Sequence, residues 1–192
     1  MRLLLGTLFA LIVAAAVGLG ATYFALSRGA AFGALTIGTW TSFPKTGTTD
    51  ADPYARASIA RIGRLPTALG DGVSFTAQSD DKGKALDGRC DVVVSGVTPA
   101  SRFWTITLYN PAGELVANTV DRHGFTSQEI VRRADGSFAI VVAPRASAGN
   151  WLPTGGVERY VLVLRLYDTA VGVSTKAGRE VPMPAVTTRS CP

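Results

Sequence analysis

The sequence is poor in the residues that most often build metal and nucleophilic sites. It has two cysteines and one histidine among 192 residues. Cys90, His123 and Cys191 are too far apart in sequence to form a recognisable zinc-binding pattern. The sequence therefore predicts no metal site and no cofactor.

The chain also lacks a concentrated basic region, although its sequence pI is about 9.6. When Arg2 and Arg28 beside the N-terminal apolar run are set aside, the 19 Lys and Arg become 17, against 14 Asp and Glu. The densest basic group is Arg56, Arg61 and Arg64. Nucleic-acid binding requires a basic stripe with groove-reading or stacking elements, so we expect no nucleic-acid partner.

Charge is absent altogether from Leu3 to Leu26. A helix of this length reaches roughly 36 Å, which is enough to cross a hydrocarbon core of about 30 Å. Residues 1–28 are therefore predicted to be a single-pass membrane anchor. A signal peptide has a shorter apolar core of about 7–15 residues, and secretion after signal cleavage is the alternative.

The charges flanking this run are nearly balanced and give little information on orientation. An N-terminus with no domain before the helix is typical of an anchor that leaves the rest of the chain outside the cytoplasm. This arrangement would be periplasmic in a bacterium. In such an oxidising compartment Cys90 and Cys191 can form a disulfide, and two free buried thiols are the alternative.

The remainder divides into two parts by composition. Residues 29–51 are rich in Gly, Thr and Ser and predict a linker or extended arm. Residues 52–192 predict one β-rich domain that begins with a short docking helix, because Asp52 and Pro53 fit a helix start and Gly63 fits its end. Ala55, Ile59 and Ile62 give that helix an apolar face.

Short β-prone runs separated by turn residues follow from Val73 onward. In the run Phe103–Tyr109, alternation places Trp104, Ile106 and Leu108 on one face, which is the purer core face. In the run Tyr160–Tyr167, Arg165 falls on the less apolar side. Several such strands with little intervening helix predict an antiparallel β-sandwich of jelly-roll type.

Several ordered motifs resemble the domain of unknown function 1214 family, with the likeness spanning about Val92 to Tyr167. They are Phe103-Trp104-Thr-Ile-Thr-Leu-Tyr109, Gly113-Glu-Leu-Val-Ala-Asn118, Asp135-Gly136-Ser137, Asn150-Trp151-Leu152-Pro153 and Leu164-Arg165-Leu-Tyr167. The resemblance implies a jelly-roll-like domain, here in the short form behind a membrane segment, and it implies no catalytic residue. Relatives usually read Arg-Tyr-Ser where this chain has Arg122-His123-Gly124.

Two regions attract functional hypotheses. His123 lies in a polar segment with Asp121 and Glu129, and an imidazole beside carboxylates is a candidate for general acid–base chemistry. The other region is the Asn150-Trp151 loop, where Trp151 either stacks on a ligand or covers the core while Asn150 satisfies turn backbone groups. Arg165 is a further candidate for binding.

No complete catalytic constellation can be assembled from these residues. We therefore expect a non-catalytic binding or scaffolding domain of the cell envelope, whose partner is a small molecule, a glycan or an envelope protein. The alternative is an enzyme, or an accessory subunit, that acts on an envelope metabolite through His123.

Overall fold

The computed structural model describes residues 2–28, 34–62, 70–171 and 181–192, except for several side chains in its two α-helices. The first helix, α1, spans Arg2–Arg28. Its segment Arg2–Ala25 is long and apolar enough to cross a membrane, and none of that segment is buried against the protein. An apolar N-terminal helix is thus present where the sequence predicts one.

The second helix, α2, spans Pro53–Ile62 and begins where the sequence indicates. The Asp52 carboxylate accepts a hydrogen bond of 2.9 Å from the main-chain N–H of Tyr54, which caps the first turn. The predicted apolar face of Ala55, Ile59 and Ile62 lies outside the described side chains, as does the predicted stop at Gly63.

Ten described strands form two sheets, so the protein is mainly β. The strands are β1 (Leu35–Ile37), β2 (Trp40–Ser42), β3 (Gly72–Ala77), β4 (Asp91–Gly96), β5 (Phe103–Tyr109), β6 (Gly124–Thr126), β7 (Phe138–Ala143), β8 (Asn150–Pro153), β9 (Val161–Tyr167) and β10 (Ala185–Ser190). The six-stranded sheet has the order β1-β2-β3-β9-β5-β6, and the four-stranded sheet has the order β10-β4-β7-β8. All described pairings are antiparallel except that of β7 with β8.

The core lies between the two sheets and follows the alternation in the sequence. The predicted core residues Trp104, Ile106 and Leu108 are at most 3% exposed. Trp104 meets Phe138 of the other sheet with ring centroids 5.1 Å apart. The architecture is therefore a two-sheet sandwich, and the jelly-roll description fits it approximately because the sheets are unequal and contain one parallel pair.

Part of the segment predicted as a linker or extended arm is paired in the six-stranded sheet. Strands β1 and β2 pair with each other, and β2 pairs with β3 in a register that places Trp40 opposite Ala77. Trp40 is 1% exposed, and its indole N–H donates to the Pro184 carbonyl at 2.7 Å. Burial of this large ring explains why a Gly- and Thr-rich segment is folded here.

The C-terminal strand is fastened by a disulfide between Cys90 and Cys191. Cys90 immediately precedes β4 and Cys191 immediately follows β10, and Asp91 lies opposite Ser190 in the pairing of these two strands. The covalent bond therefore closes the end of a ladder that backbone hydrogen bonds already form.

Candidate functional site

His123 lies in the loop between β5 and β6, where protein oxygens face both of its ring nitrogens. Nδ1 is 3.0 Å from the Val116 carbonyl oxygen, and Nε2 is 3.0 Å from Oδ1 of Asp121. A general base needs a nitrogen lone pair that faces its reactant. In this geometry neither nitrogen of His123 does so, although the Asp121 side chain is itself 96% exposed.

The other polar residues of this segment bond elsewhere. Oε2 of Glu129 accepts from the Thr126 hydroxyl at 3.1 Å. The Ser127 hydroxyl oxygen accepts from the main-chain N–H of Trp104 at 3.4 Å. The structure thus joins Asp121 to His123, while the recorded side-chain bonds of Glu129 and Ser127 do not reach the imidazole.

Arg122 connects the His123 loop to β8. Its Nη1 donates to the Trp151 carbonyl at 3.1 Å, and its guanidinium lies 5.4 Å from the centroid of the Phe125 ring. Asn118 holds the main chain of Arg122 through hydrogen bonds of 3.0 Å to its N–H and 2.9 Å to its carbonyl. The two regions singled out in the sequence are therefore neighbours, and Arg122 joins them.

The side chains of Asn150 and Trp151 are committed to internal hydrogen bonds. Asn150 is 7% exposed and pairs with Val131 through its oxygen and its nitrogen, both at 2.8 Å. Its amide nitrogen also donates to the Ala139 carbonyl at 3.0 Å. The Trp151 indole N–H donates to the Ala143 carbonyl at 3.0 Å, and the ring is half-buried. These contacts hold the loop before β7 and the strand β8 against the sandwich.

We expect His123→Ala to lower the free energy of unfolding by about 1–2 kcal/mol, because a half-buried ring and its hydrogen bond to the Val116 carbonyl are lost. Chemical unfolding of the full chain in detergent, followed by far-UV circular dichroism, measures the change. Glu129→Ala is the matched control, with an expected change below about 0.5 kcal/mol because Glu129 is exposed. Unchanged stability in His123→Ala would contradict this structural role.

Arg165 lies on the side of the six-stranded sheet that faces away from the core. We call this surface the outer face and define it by the odd-numbered residues of β5 and β9, together with Ser74 and Thr76 of β3. Its side chains are half-buried, apart from Val163, which is 4% exposed. The alternation in the sequence correctly placed Arg165 on this less apolar side.

The outer face combines hydroxyl groups with aromatic rings around one cation. The Arg165 guanidinium lies 5.3 Å from the centroid of the Tyr109 ring. Ser74 and Thr105 are directly opposite Arg165 on its two neighbouring strands. At the other end of these strands, the rings of Phe103 and Tyr167 have centroids 5.8 Å apart. No local pattern in the sequence indicates the Arg165–Tyr109 contact, since it joins two strands that are distant along the chain.

Arg165 has no acidic partner in the part of the chain that the structure describes. The ion pairs found there are Arg89 with Asp87 and His123 with Asp121. The contact recorded for the Arg165 guanidinium is its approach to Tyr109. The positive charge of the outer face is thus uncompensated by a described carboxylate.

A cleft of about 240 Å³ lies elsewhere, between the β1–β2 turn and the start of β10. Its polar lining is largely engaged. The Trp40 indole N–H bonds to the Pro184 carbonyl, and Oδ2 of Asp81 accepts from the main-chain N–H of Val186 at 2.9 Å. No group of three metal-ligating side chains occurs among the described residues.

Two buried groups outside this cleft, the Asp80 carboxyl and the Tyr160 phenol, have shifted pKa values. Burial opposes ionisation of Asp80, but hydrogen bonds from the Thr188 hydroxyl and from the N–H groups of Lys84 and Lys82 hold the pKa of Asp80 below its usual range. These bonds tie a turn to β10. Burial raises the pKa of the Tyr160 phenol, whose hydroxyl has no hydrogen-bond partner within the described ranges.

A solved structure of another protein supports the fold. No curated protein matches the chain. The VPA0106 protein from Vibrio parahaemolyticus has a solved structure that is similar with a TM-score of 0.58 and 21% identity, over 73% of this chain and 36% of that one. An uncharacterized protein from Burkholderia cenocepacia gives a TM-score of 0.44 and 20% identity, over 62% of this chain and 29% of that one. The chain thus spans about a third of the length of these solved structures.

The family match covers most of the sandwich. A profile described as "Protein of unknown function (DUF1214)" matches residues 71–171, slightly more than half of the chain. This range runs from the turn before β3 through β9, and so contains the motifs Phe103–Tyr109 and Asn150–Pro153 that carry the resemblance in the sequence. The chain belongs to the DUF1214 family.

Proposed function

We propose that this protein is a membrane-anchored, non-catalytic binding protein that displays its β-sandwich outside the cytoplasm and takes its ligand on the outer face. The observation that carries the proposal is the position of Arg165. Its guanidinium lies on the side of the sheet away from the core, beside the Tyr109 ring, and no described carboxylate neutralises it. Arg and aromatic side chains are the groups most enriched at binding hot spots.

The contacts of the His123 ring nitrogens support a binding function over a catalytic one. Both nitrogens of His123 face protein oxygens, and the alternative enzymatic role would require one of them to face a substrate. Asn150 and Trp151 likewise direct their polar groups into the protein. Of the residues considered for binding from the sequence, Arg165 is the one whose polar end lies on the sheet face away from the core.

The disulfide and the apolar helix support the proposed location. Structural disulfides persist in oxidising compartments and are rare in the cytosol, and Cys90 and Cys191 are bonded here. The helix Arg2–Ala25 meets the length and hydropathy of a membrane span, criteria that a signal sequence also meets. Display on the far side of the membrane accounts for both features.

The test uses the full chain in lipid nanodiscs, screened for saturable binding against envelope glycans, lipids and soluble envelope proteins. We expect Thr105→Glu to weaken binding of the retained ligand at least tenfold, because Thr105 lies directly opposite Arg165 and a carboxylate there would neutralise it. Thr187→Glu is the matched control, on an exposed position of β10 in the other sheet.

Two results would overturn the proposal. One is a ligand whose affinity falls equally in Thr105→Glu and Thr187→Glu, which would place its site away from the outer face. The other is chemical turnover of the ligand that disappears in His123→Ala, which would favour the enzymatic alternative.

A further inference from the structure

We infer that the ligand of the outer face is an acidic glycan, a sugar chain that carries carboxylate groups. The inference rests on the proposed function and names the chemical class of its ligand. It is argued from three properties of the outer face: one uncompensated guanidinium, hydroxyl groups at the positions beside it, and aromatic rings on the same surface.

The Arg165 guanidinium favours a ligand that carries a negatively charged group. Arg165 has five N–H donors in a planar fork that matches a carboxylate, and the Tyr109 ring at 5.3 Å limits the directions in which this fork points. Because no described carboxylate occupies the fork, an incoming carboxylate displaces water and not a protein partner.

The hydroxyl groups specify a ligand rich in hydrogen-bonding groups. Ser74 and Thr105 flank Arg165 in the sheet register, and Thr76 and Thr107 flank Val163 in the next row. Directly opposed residues lie about 5 Å apart, and successive rows on one face lie about 7 Å apart. Four hydroxyl groups are thus spread over an area that a short oligosaccharide can cover.

The aromatic rings specify a ligand with apolar faces between its polar groups. Tyr109 lies at one end of β5, and the tilted pair Phe103 and Tyr167 lies at the other. The span from Tyr109 to Phe103 is roughly 20 Å at the rise of a β-strand. Sugar rings present C–H faces that pack on aromatic rings while their hydroxyl groups remain free for hydrogen bonds.

The alternatives fit these properties less well. Nucleic acid requires a basic stripe, and the strands of the outer face carry the single basic residue Arg165. An apolar protein partner would leave the row of hydroxyl groups without hydrogen bonds, at a cost for each one buried. A ligand in which carboxylates stand among many hydroxyl groups matches both the charge and the polarity of the surface.

The probe is an oligogalacturonate of defined length, compared with the same oligosaccharide after its carboxyl groups have been reduced to alcohols. Binding of both to the full chain in phosphatidylcholine nanodiscs is measured by calorimetry. We expect the acidic form to bind at least tenfold more tightly, and this preference to weaken as salt is raised.

Arg165→Gln tests the residue. It should remove the preference for the acidic form, while Arg165→Lys should retain only part of the preference because it lacks the planar fork. Arg189→Gln, an exposed position of β10 in the other sheet, is the matched control and should behave as the unchanged chain. A thermal unfolding curve for each variant confirms that it is folded.

Three results would overturn the inference: equal affinity for the acidic and neutral forms, binding of neither form, or a preference that survives in Arg165→Gln. Each remains distinguishable from failure of the proposed function. If Thr105→Glu still blocks some other ligand, the outer face is a binding site and only the acidic glycan is wrong.

Discussion

Replacement of Trp40 by alanine should lower the free energy of unfolding by about 3–5 kcal/mol, the range for removal of a buried Trp or Phe. Trp40 is 1% exposed and its indole N–H bonds to the Pro184 carbonyl at 2.7 Å. Truncation therefore leaves a cavity under β2 and a carbonyl without its partner. Denaturant unfolding of the full chain in detergent, followed by far-UV circular dichroism, gives the free energy.

Phe43→Ala is the matched control for Trp40→Ala. Phe43 is a large aromatic residue three positions away in the same segment, but it is 38% exposed. We expect its truncation to cost less than about 1.5 kcal/mol, because little apolar surface is removed from the interior. If both variants lose equally little stability, residues 35–42 are an arm outside the cooperative unit and the packing described for Trp40 is wrong.

The long strands could be predicted because their alternation is strong on its own. The run Phe103–Tyr109 predicted from the sequence has the same bounds as β5, and the predicted run Tyr160–Tyr167 begins one residue before β9. Both strands are seven residues long, and one face of β5 is wholly apolar. A pattern of this length indicates both the strand and its buried side without information from the rest of the chain.

The short strands could not be predicted, because a strand is recognised from the length of its alternating pattern. Strands β1 and β2 have three residues each, which is too few for alternation to distinguish them from a loop. What makes β2 part of the core is Trp40, and its hydrogen-bond partner Pro184 is 144 residues away in sequence. A contact between residues this far apart leaves no local pattern in the sequence. The Gly- and Thr-rich composition alone therefore predicts a linker or extended arm.

In the candidate site, too, local features could be predicted from the sequence and long-range contacts could not. Alternation alone places Arg165 on the less apolar side of β9, and the structure agrees. The contact with Tyr109 depends on the pairing of β5 with β9, which the sequence does not encode locally. Asp121 and His123 are close in sequence and are also in contact in the structure. That contact joins the imidazole to a carboxylate of its own loop.

The double variant Cys90→Ser and Cys191→Ser should lose about 2–5 kcal/mol of unfolding free energy. The disulfide closes a loop whose ends are 101 residues apart, and a loop of about this length gives roughly 4–5 kcal/mol in the chain-entropy treatment. Unfolding of the oxidised full chain in detergent is compared with that of the variant. Ser190→Ala is the matched control, because Ser190 adjoins Cys191 and makes only an exposed hydrogen bond to Asp91.

Hydrogen exchange separates a global effect of the disulfide from a local one. Strand β10 carries Val186, which is 0% exposed, and it pairs along β4 on one side of the four-stranded sheet. If the bond constrains the whole unfolded chain, its loss should accelerate exchange in β9 as well as β10, since both then open with the domain. Faster exchange confined to β10, with unfolding free energy lowered by less than about 1 kcal/mol, would instead show that the disulfide holds only the C-terminal strand.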